Sequence, residues 1–131
     1  MSQIVRDQLL TWAAAVPDAE VCGLLFGEDG VIISAILAAN HAVTPTTSFE
    51  IDPAVLIAAH KAERAGGPQI IGHFHSHPNG LAEPSPTDAQ MADADGKLWL
   101  IIARDAITVW QAVERGAHLG RFAQVNLCVN P

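Results

Sequence analysis

A short run that enters on isoleucines and leaves on histidines fixes the centre of this chain. Residues 69–77 read as a strand that exits through His73, His75 and His77. Pro78, with no amide hydrogen to donate, ends it. Residues 78–84 form a loop, and Ser85-Pro86-Thr87-Asp88 opens a helix. On a strand, residues two apart share a face, with Cα atoms about 6.5–7 Å apart. The imidazoles of His75 and His77 therefore converge, and the loop lets the chain return with Asp88. Two imidazoles and one carboxylate are the donor set of a catalytic Zn2+ site, with nitrogens at about 2.0–2.1 Å and a fourth position left for water.

Each part also has a plainer reading. A bare His-x-His pair is as often a surface feature as a metal site, and it is the aspartate after a Pro-rich return that favours metal. Ser85, Pro86 and Asp88 form a helix-capping signature that alone accounts for both Ser85 and Asp88. Capping and ligation compete for the same carboxylate. His73 shares the parity of His75 and His77. The outer two Cα atoms would lie about 13 Å apart, too far for three successive imidazoles to meet at one ion. His73 therefore reads as a pocket-lining or supporting group, or as an ordinary packed histidine. A zinc hydrolase further needs a carboxylate to take the proton of a water whose pKa the ion lowers to about 7. Spacing does not choose among Glu20, Glu28, Glu50 and Glu83, each of which also fits a solvated surface acid.

The flanking sequence sets the class. Val5, Leu9, Trp12, Ala13 and Val16 make a helical stripe that Pro17 ends. Residues 21–26 and 31–39 read as a hairpin of buried strands, residues 40–48 as a loop and residues 49–51 as a short strand. Asp52-Pro53 opens a second helix, which ends at Gly66-Gly67. The helix opened by Ser85 runs to about Gly96. Strands follow at 98–103, 107–113 and near 121–129, the last with Ala123, Val125, Leu127 and Val129 on one face. This mixture predicts an α/β fold, one domain over residues 1–131, with a mixed, largely antiparallel sheet flanked by helices.

The 131 residues are 50% hydrophobic and 16% charged, enough to bury one core without disulfide staples. Net charge is −7, and the seven Lys and Arg are scattered, so no nucleic-acid partner is expected. No apolar run reaches the roughly 18 residues of a membrane helix, and the N-terminus lacks the basic start of a signal peptide. No membrane partner and a cytoplasmic location are expected. Cys22 and Cys128 both sit in apolar runs and read as buried free thiols. No oligomeric state is assigned.

Taken together, these residues resemble the JAMM metallopeptidase family, also called MPN+ domains. The family pattern is an upstream glutamate, then H-x-H-P, six residues, then S-x-x-D. Here it reads Glu20, His75-Ser76-His77-Pro78, Ser85 and Asp88, with no spacing error. Residues 20–27, Asn40 and Phe49-Glu50-Ile51-Asp52-Pro53 resemble further family segments. Residues 72–78 resemble its G-W-x-H-S-H-P, with His73 at the tryptophan position. The resemblance implies a zinc peptidase or isopeptidase on a cytidine-deaminase-like α/β/α fold. It makes His75, His77 and Asp88 zinc ligands and Glu20 the general acid/base. It makes Ser85 the group that holds water and stabilises the oxyanion. Asp88 would keep its cap position while its outer oxygen meets the metal.

The compact chain resembles the small prokaryotic members of that family. These are linked to removing groups from the C-terminus of ubiquitin-like or sulfur-carrier proteins, including a released cysteine. An extended Gly-Gly tail could reach the site as a strand added to an exposed sheet edge. The alternative is a non-catalytic MPN-type protein-binding scaffold. A zinc deaminase would need H-x-E and P-C-x-x-C, and neither is present.

Overall fold

The computed structural model describes residues 1–131. Its first element, α1 (Gln3–Ala15), starts where the Ser2 side chain accepts from the Val5 amide and stops short of Pro17. It buries Val5 and Leu9, and its Trp12 stacks on Phe74 at 5.8 Å. A hairpin of β1 (Cys22–Glu28) and β2 (Val31–Ala38) follows, then α2 (Pro53–Arg64) and β3 (Ile70–Ser76). The helix α3 (Pro86–Met91) leads to β4 (Leu98–Ala103), β5 (Ala106–Gly116) and β6 (Gly120–Val125).

The six strands form one sheet in the order β2-β1-β3-β4-β5-β6. Only β3 and β4 pair in parallel, and the other neighbours are antiparallel. A parallel pair cannot be joined by a tight turn and needs a crossover. Here the crossover is the 78–84 loop with α3, so the parallel pairing itself returns Asp88 towards the end of β3. Gly72 permits the close approach of these two strands, since a Cβ there would lie 2.1 Å from the Leu98 carbonyl oxygen.

The sheet is covered on both faces. Val5 and Leu9 of α1 pack against Leu25, Phe74, Leu100 and Ile102. On the other face Phe49, Trp99, Ile101 and Phe122 pack with Val55 and Leu56 of α2 and Ala89 of α3. Alternation along β3 puts Phe74 under α1 and turns His73 and His75 to the opposite face, against Phe49 and Trp99.

Several sequence expectations are corrected. β2 is not a buried strand: it is a sheet edge, and only Ile32, Ala35 and Ala38 are buried. Residues 49–51 form no strand beyond one bridge between Asn40 and Ile51. α3 ends at Met91, not near Gly96. The backbone of Ala92 is extended, and Asp95 accepts from the Lys97 amide in a turn that competes with further helix. β6 ends at Val125 because the chain then leaves the sheet to meet its own N-terminus, where the Gln3 amide donates to Asn130. Val125 and Leu127 of the expected stripe are half-buried against the core under α1, but the fully buried residue of β6, Phe122, lies on the opposite face, and Val129 is exposed. Cys22 is a buried free thiol as expected, but Cys128, in that departing segment, is exposed.

Candidate metal centre

His75 is the penultimate residue of β3, and His77 lies just past its end. Their Nε2 atoms are 2.9 Å apart, and each is 3.1 Å from Asp88 Oδ2. All three residues are buried, Asp88 to 1% exposure. Glu20 completes the cluster at 5% exposure, and one donor atom from each of the four lies within 4.8 Å of all the others. The other glutamates considered, Glu28, Glu50 and Glu83, are exposed and outside it. Which glutamate joins the histidines, left open by spacing, is thus decided by position.

Backbone and side-chain bonds hold these groups in place. Val21 and Ser76 clasp each other: the Val21 amide donates to Ser76 Oγ at 2.8 Å, and the Ser76 amide donates to the Val21 carbonyl at 2.9 Å. This pins Glu20 to the end of β3. The Asn40 side chain donates to the Glu20 and Ser48 carbonyls and accepts from the Ala42 and Glu50 amides. Asn40 and Ser76 are supports that the sequence reading did not identify as such. An asparagine at the start of a Thr-rich loop was the available signal.

The competition expected at Asp88 takes an unexpected form. Both halves of the capping box are made: Asp88 N–H donates to Ser85 Oγ at 3.1 Å, and Ser85 N–H donates to Asp88 Oδ2 at 2.9 Å. The oxygen that caps the helix is the one that faces the histidines, not a separate outer oxygen. A carboxylate oxygen has more than one lone-pair direction, so the cap can fill one and leave another for a cation.

The donor set fits a metal ion. His77 Nδ1 lies 2.8 Å from the Leu81 carbonyl, which can only accept, so this nitrogen carries the proton. In the neutral ring that leaves His77 Nε2 as the lone pair, facing the carboxylate and His75 Nε2. Three such donors converging on one point can share a single cation. Their separations approach the roughly 3.3 Å edge of a tetrahedron built on zinc bonds of about 2.0–2.1 Å. Glu20 Oε1, in the cluster, is buried with no hydrogen-bond partner; so are the Nδ1 atoms of His73 and His75, which face away from it. A buried polar atom left unpaired costs about 1–3 kcal/mol, which a ligand could relieve.

Burial dominates the electrostatics. It pushes Glu20 up to about 7, with His77 opposing and Asp88 reinforcing the rise. Burial lowers His75 despite the Asp88 carboxylate beside it. Burial also works against charging His77, but its bonds to Asp88 and Leu81 outweigh this and raise it. Burial alone would raise Asp88, yet in the absence of an ion the hydrogen bonds that protonated His75 and His77 donate hold it well below the usual carboxylate range. His73 lies outside the cluster, edge-on to Trp99 at 4.3 Å, and burial drives it down to about 3.

The cluster opens to a polar cavity of about 190 Å3 lined by Glu20, Thr46, Thr47, His77, Ser85 and Thr87, among others. Ser85 is thus brought to the site, and its Oγ, occupied as an acceptor, keeps its own proton free to donate. A larger apolar cavity of about 500 Å3, between the end of α1 and β2, also reaches Glu20. Glu20 thus lines both a polar mouth and an apolar groove.

The family of prokaryotic homologs of the JAB domain matches residues 2–116 of this chain. A desampylase from Haloferax volcanii is 34% identical over 106 residues, 76% of each chain. A probable TtuB-protein conjugate cleaving protease from Thermus thermophilus is 41% identical over 49 residues, 37% of this chain and 33% of that one. A Desulfitobacterium hafniense protein solved in solution superposes with a TM-score of 0.82 at 24% identity, covering 98% of this chain and 90% of that one, a likeness of fold. The protein is an enzyme of the JAMM metallopeptidase class. Within that class the chain belongs to the prokaryotic JAB-domain family and is one of its small members.

Proposed function

We propose that this protein is a zinc-dependent peptidase or isopeptidase. It would hydrolyse the amide bond that follows the C-terminal tail of a ubiquitin-like or sulfur-carrier protein. The observation that carries this reading is the buried triangle of His75 Nε2, His77 Nε2 and Asp88 Oδ2 beside a buried, unpartnered Glu20 carboxylate. The names of two relatives, a desampylase and a protein-conjugate cleaving protease, support the substrate class. A Gly-Gly tail fits the same picture, being narrow and uncharged. The helices on both faces of a mixed sheet support the cytidine-deaminase-like assignment, with residues 1–131 acting as one domain. Two free cysteines support a reducing, cytoplasmic setting.

His75, His77 and Asp88 would hold Zn2+. Bound there, the ion would supply Lewis acidity and bring the ionisation of a water near neutrality. Glu20, buried beside the three ligands with Oε1 unpartnered, is placed to accept a proton and pass it to the departing amine. The free Ser85 hydroxyl proton is placed to meet negative charge developing on the substrate carbonyl oxygen. The Leu81 carbonyl fixes the His77 ring with Nε2 unprotonated.

Replacing Glu20 by glutamine tests the assignment. Glu20→Gln should lower cleavage of a tail-linked amide by about 10^2–10^4-fold, the usual range for general acid–base catalysis. Zinc content and carrier binding should be retained. Cleavage at the wild-type rate would remove Glu20 from the mechanism. A wild-type protein that binds zinc and carrier but never cleaves would instead favour the scaffold reading.

A further inference from the structure

One cation beside the site has no role in the chemistry proposed so far. A cavity of about 390 Å3 lies between the end of α1 and the exit of β3, walled by Pro17, Ser76, His77, Pro78 and Arg104 among others. It shares His77 and Pro78 with the polar mouth that contains Glu20. Arg104 is exposed, and it takes part in none of the ion pairs or side-chain hydrogen bonds of the molecule. Its guanidinium rests over Gly80: a Cβ on that glycine would lie 2.9 Å from Nε and 3.1 Å from Nη2. The Gly80 amide in turn donates to the His77 carbonyl at 3.1 Å. Arg104 therefore sits against the loop that orients a proposed metal ligand.

The backbone adds a second observation. Arg104 lies in the β4–β5 turn with φ of 59°, the left-handed region that glycine or asparagine enters at less cost. A chain of net charge −7 thus keeps a free guanidinium in the cavity next to the polar mouth, in a turn conformation that Asp29, Arg115 and Leu119 also adopt. The other arginines that line a cavity, Arg115 and Arg121, lie at the β5–β6 end of the sheet.

We propose that Arg104 is a specificity-determining residue that reads a carboxylate on the leaving-amine side of the scissile amide. This rests on the amide-hydrolase reading above. The side follows from bond chemistry. The terminal carboxylate of a carrier tail is consumed in the amide, so the acyl side brings no charge to the bond. The apolar groove that meets Glu20, lined by Trp12, Val16, Leu37 and Pro45 among others, suits that neutral side. A leaving α-amino acid, by contrast, holds its carboxylate one carbon from the scissile nitrogen. A lysine-linked protein lacks that carboxylate but can offer an acidic side chain nearby. A planar guanidinium binds either through paired hydrogen bonds.

Four matched substrates separate these sources. Two are tail peptides joined to an α-amino acid, one with a free carboxylate and one amidated. Two are lysine-linked peptides with either Asp or Asn beside the lysine. For the zinc-loaded wild type, kcat/KM should favour the carboxylate member of one pair by roughly tenfold or more, the scale of one charge-assisted contact. The difference should lie in KM and shrink as salt is raised. In Arg104→Gln the ratio should fall towards one, and Arg104→Lys should restore part of it. The responding pair identifies the source of the carboxylate.

Equal losses on both members of each pair would show that Arg104 only props the Gly80 loop and would overturn the proposal. So would a preference that survives Arg104→Gln. If the wild type cleaves none of the four, the hydrolase reading fails, and calorimetric binding of the same peptides to Glu20→Gln still reports the ratio. No carboxylate preference in binding would then overturn the Arg104 assignment separately.

Discussion

At Asp88 one oxygen serves two partners, and this makes Ser85 a residue with separable effects. Its Oγ caps α3 by accepting from the Asp88 amide, while its hydroxyl proton remains available to the cleft. Ser85→Ala should cost about 1 kcal/mol of stability, the usual price of a lost N-cap, in urea unfolding of the metal-free protein. Cleavage should fall far more, by about 10^2-fold if the hydroxyl meets the developing oxyanion. Ser85→Thr, which keeps a hydroxyl, should recover most of the stability and part of the rate. A loss of rate no larger than the loss of folded protein would leave Ser85 as a cap alone. His75, His77, Ser85 and Asp88 were legible because they fall in one stretch with fixed spacing. Glu20 was legible only through the family pattern, because its approach depends on pairing between β1 and β3, far apart in sequence. The clasp between Val21 and Ser76 crosses the same gap, and no local pattern announces it.

At the scale of elements, the decisive contact is the parallel pairing of β3 with β4. It turns the chain back through α3 and brings Asp88 to the histidines. Gly72 is the narrow point, because the atom its Cβ would strike belongs to the Leu98 backbone and cannot swing aside. Gly72→Ala should therefore destabilise the fold by at least about 2 kcal/mol, with weaker zinc binding as a consequence. Unchanged stability in denaturant melts would mean that the pairing yields without harm. Helix stripes and apolar runs made α1, α2, β3 and β4 readable. The burial of β2 was not, because an apolar run looks the same in the centre of a sheet and at its edge. The early end of α3 was missed for a related reason. Asp93 and Asp95 are compatible with a helix by spacing, and only the turn hydrogen bonds reveal that they end it.

The whole molecule concentrates its polar burial in one place. Five polar or charged residues are buried, and four of them are Glu20, His75, His77 and Asp88, with the clasp residue Ser76 the fifth. A fold this small has little stability to set against buried charge, so the gathering of two carboxylates and two imidazoles at one point, with Glu20 Oε1 unpartnered, favours a bound cation. The α/β class and the mixed sheet were legible from the order of elements. The enclosure of the site was not, since it arises where the 40–48 loop, the exit of β3 and the start of α3 meet. The central claim is that this cluster is a zinc centre. Elemental analysis of the purified wild type and of His75→Ala tests it most directly. One zinc per chain, lost in a variant that remains folded, is the predicted result. A wild type that takes up no zinc when supplied with it, or a folded His75→Ala that keeps a full equivalent, would contradict the account.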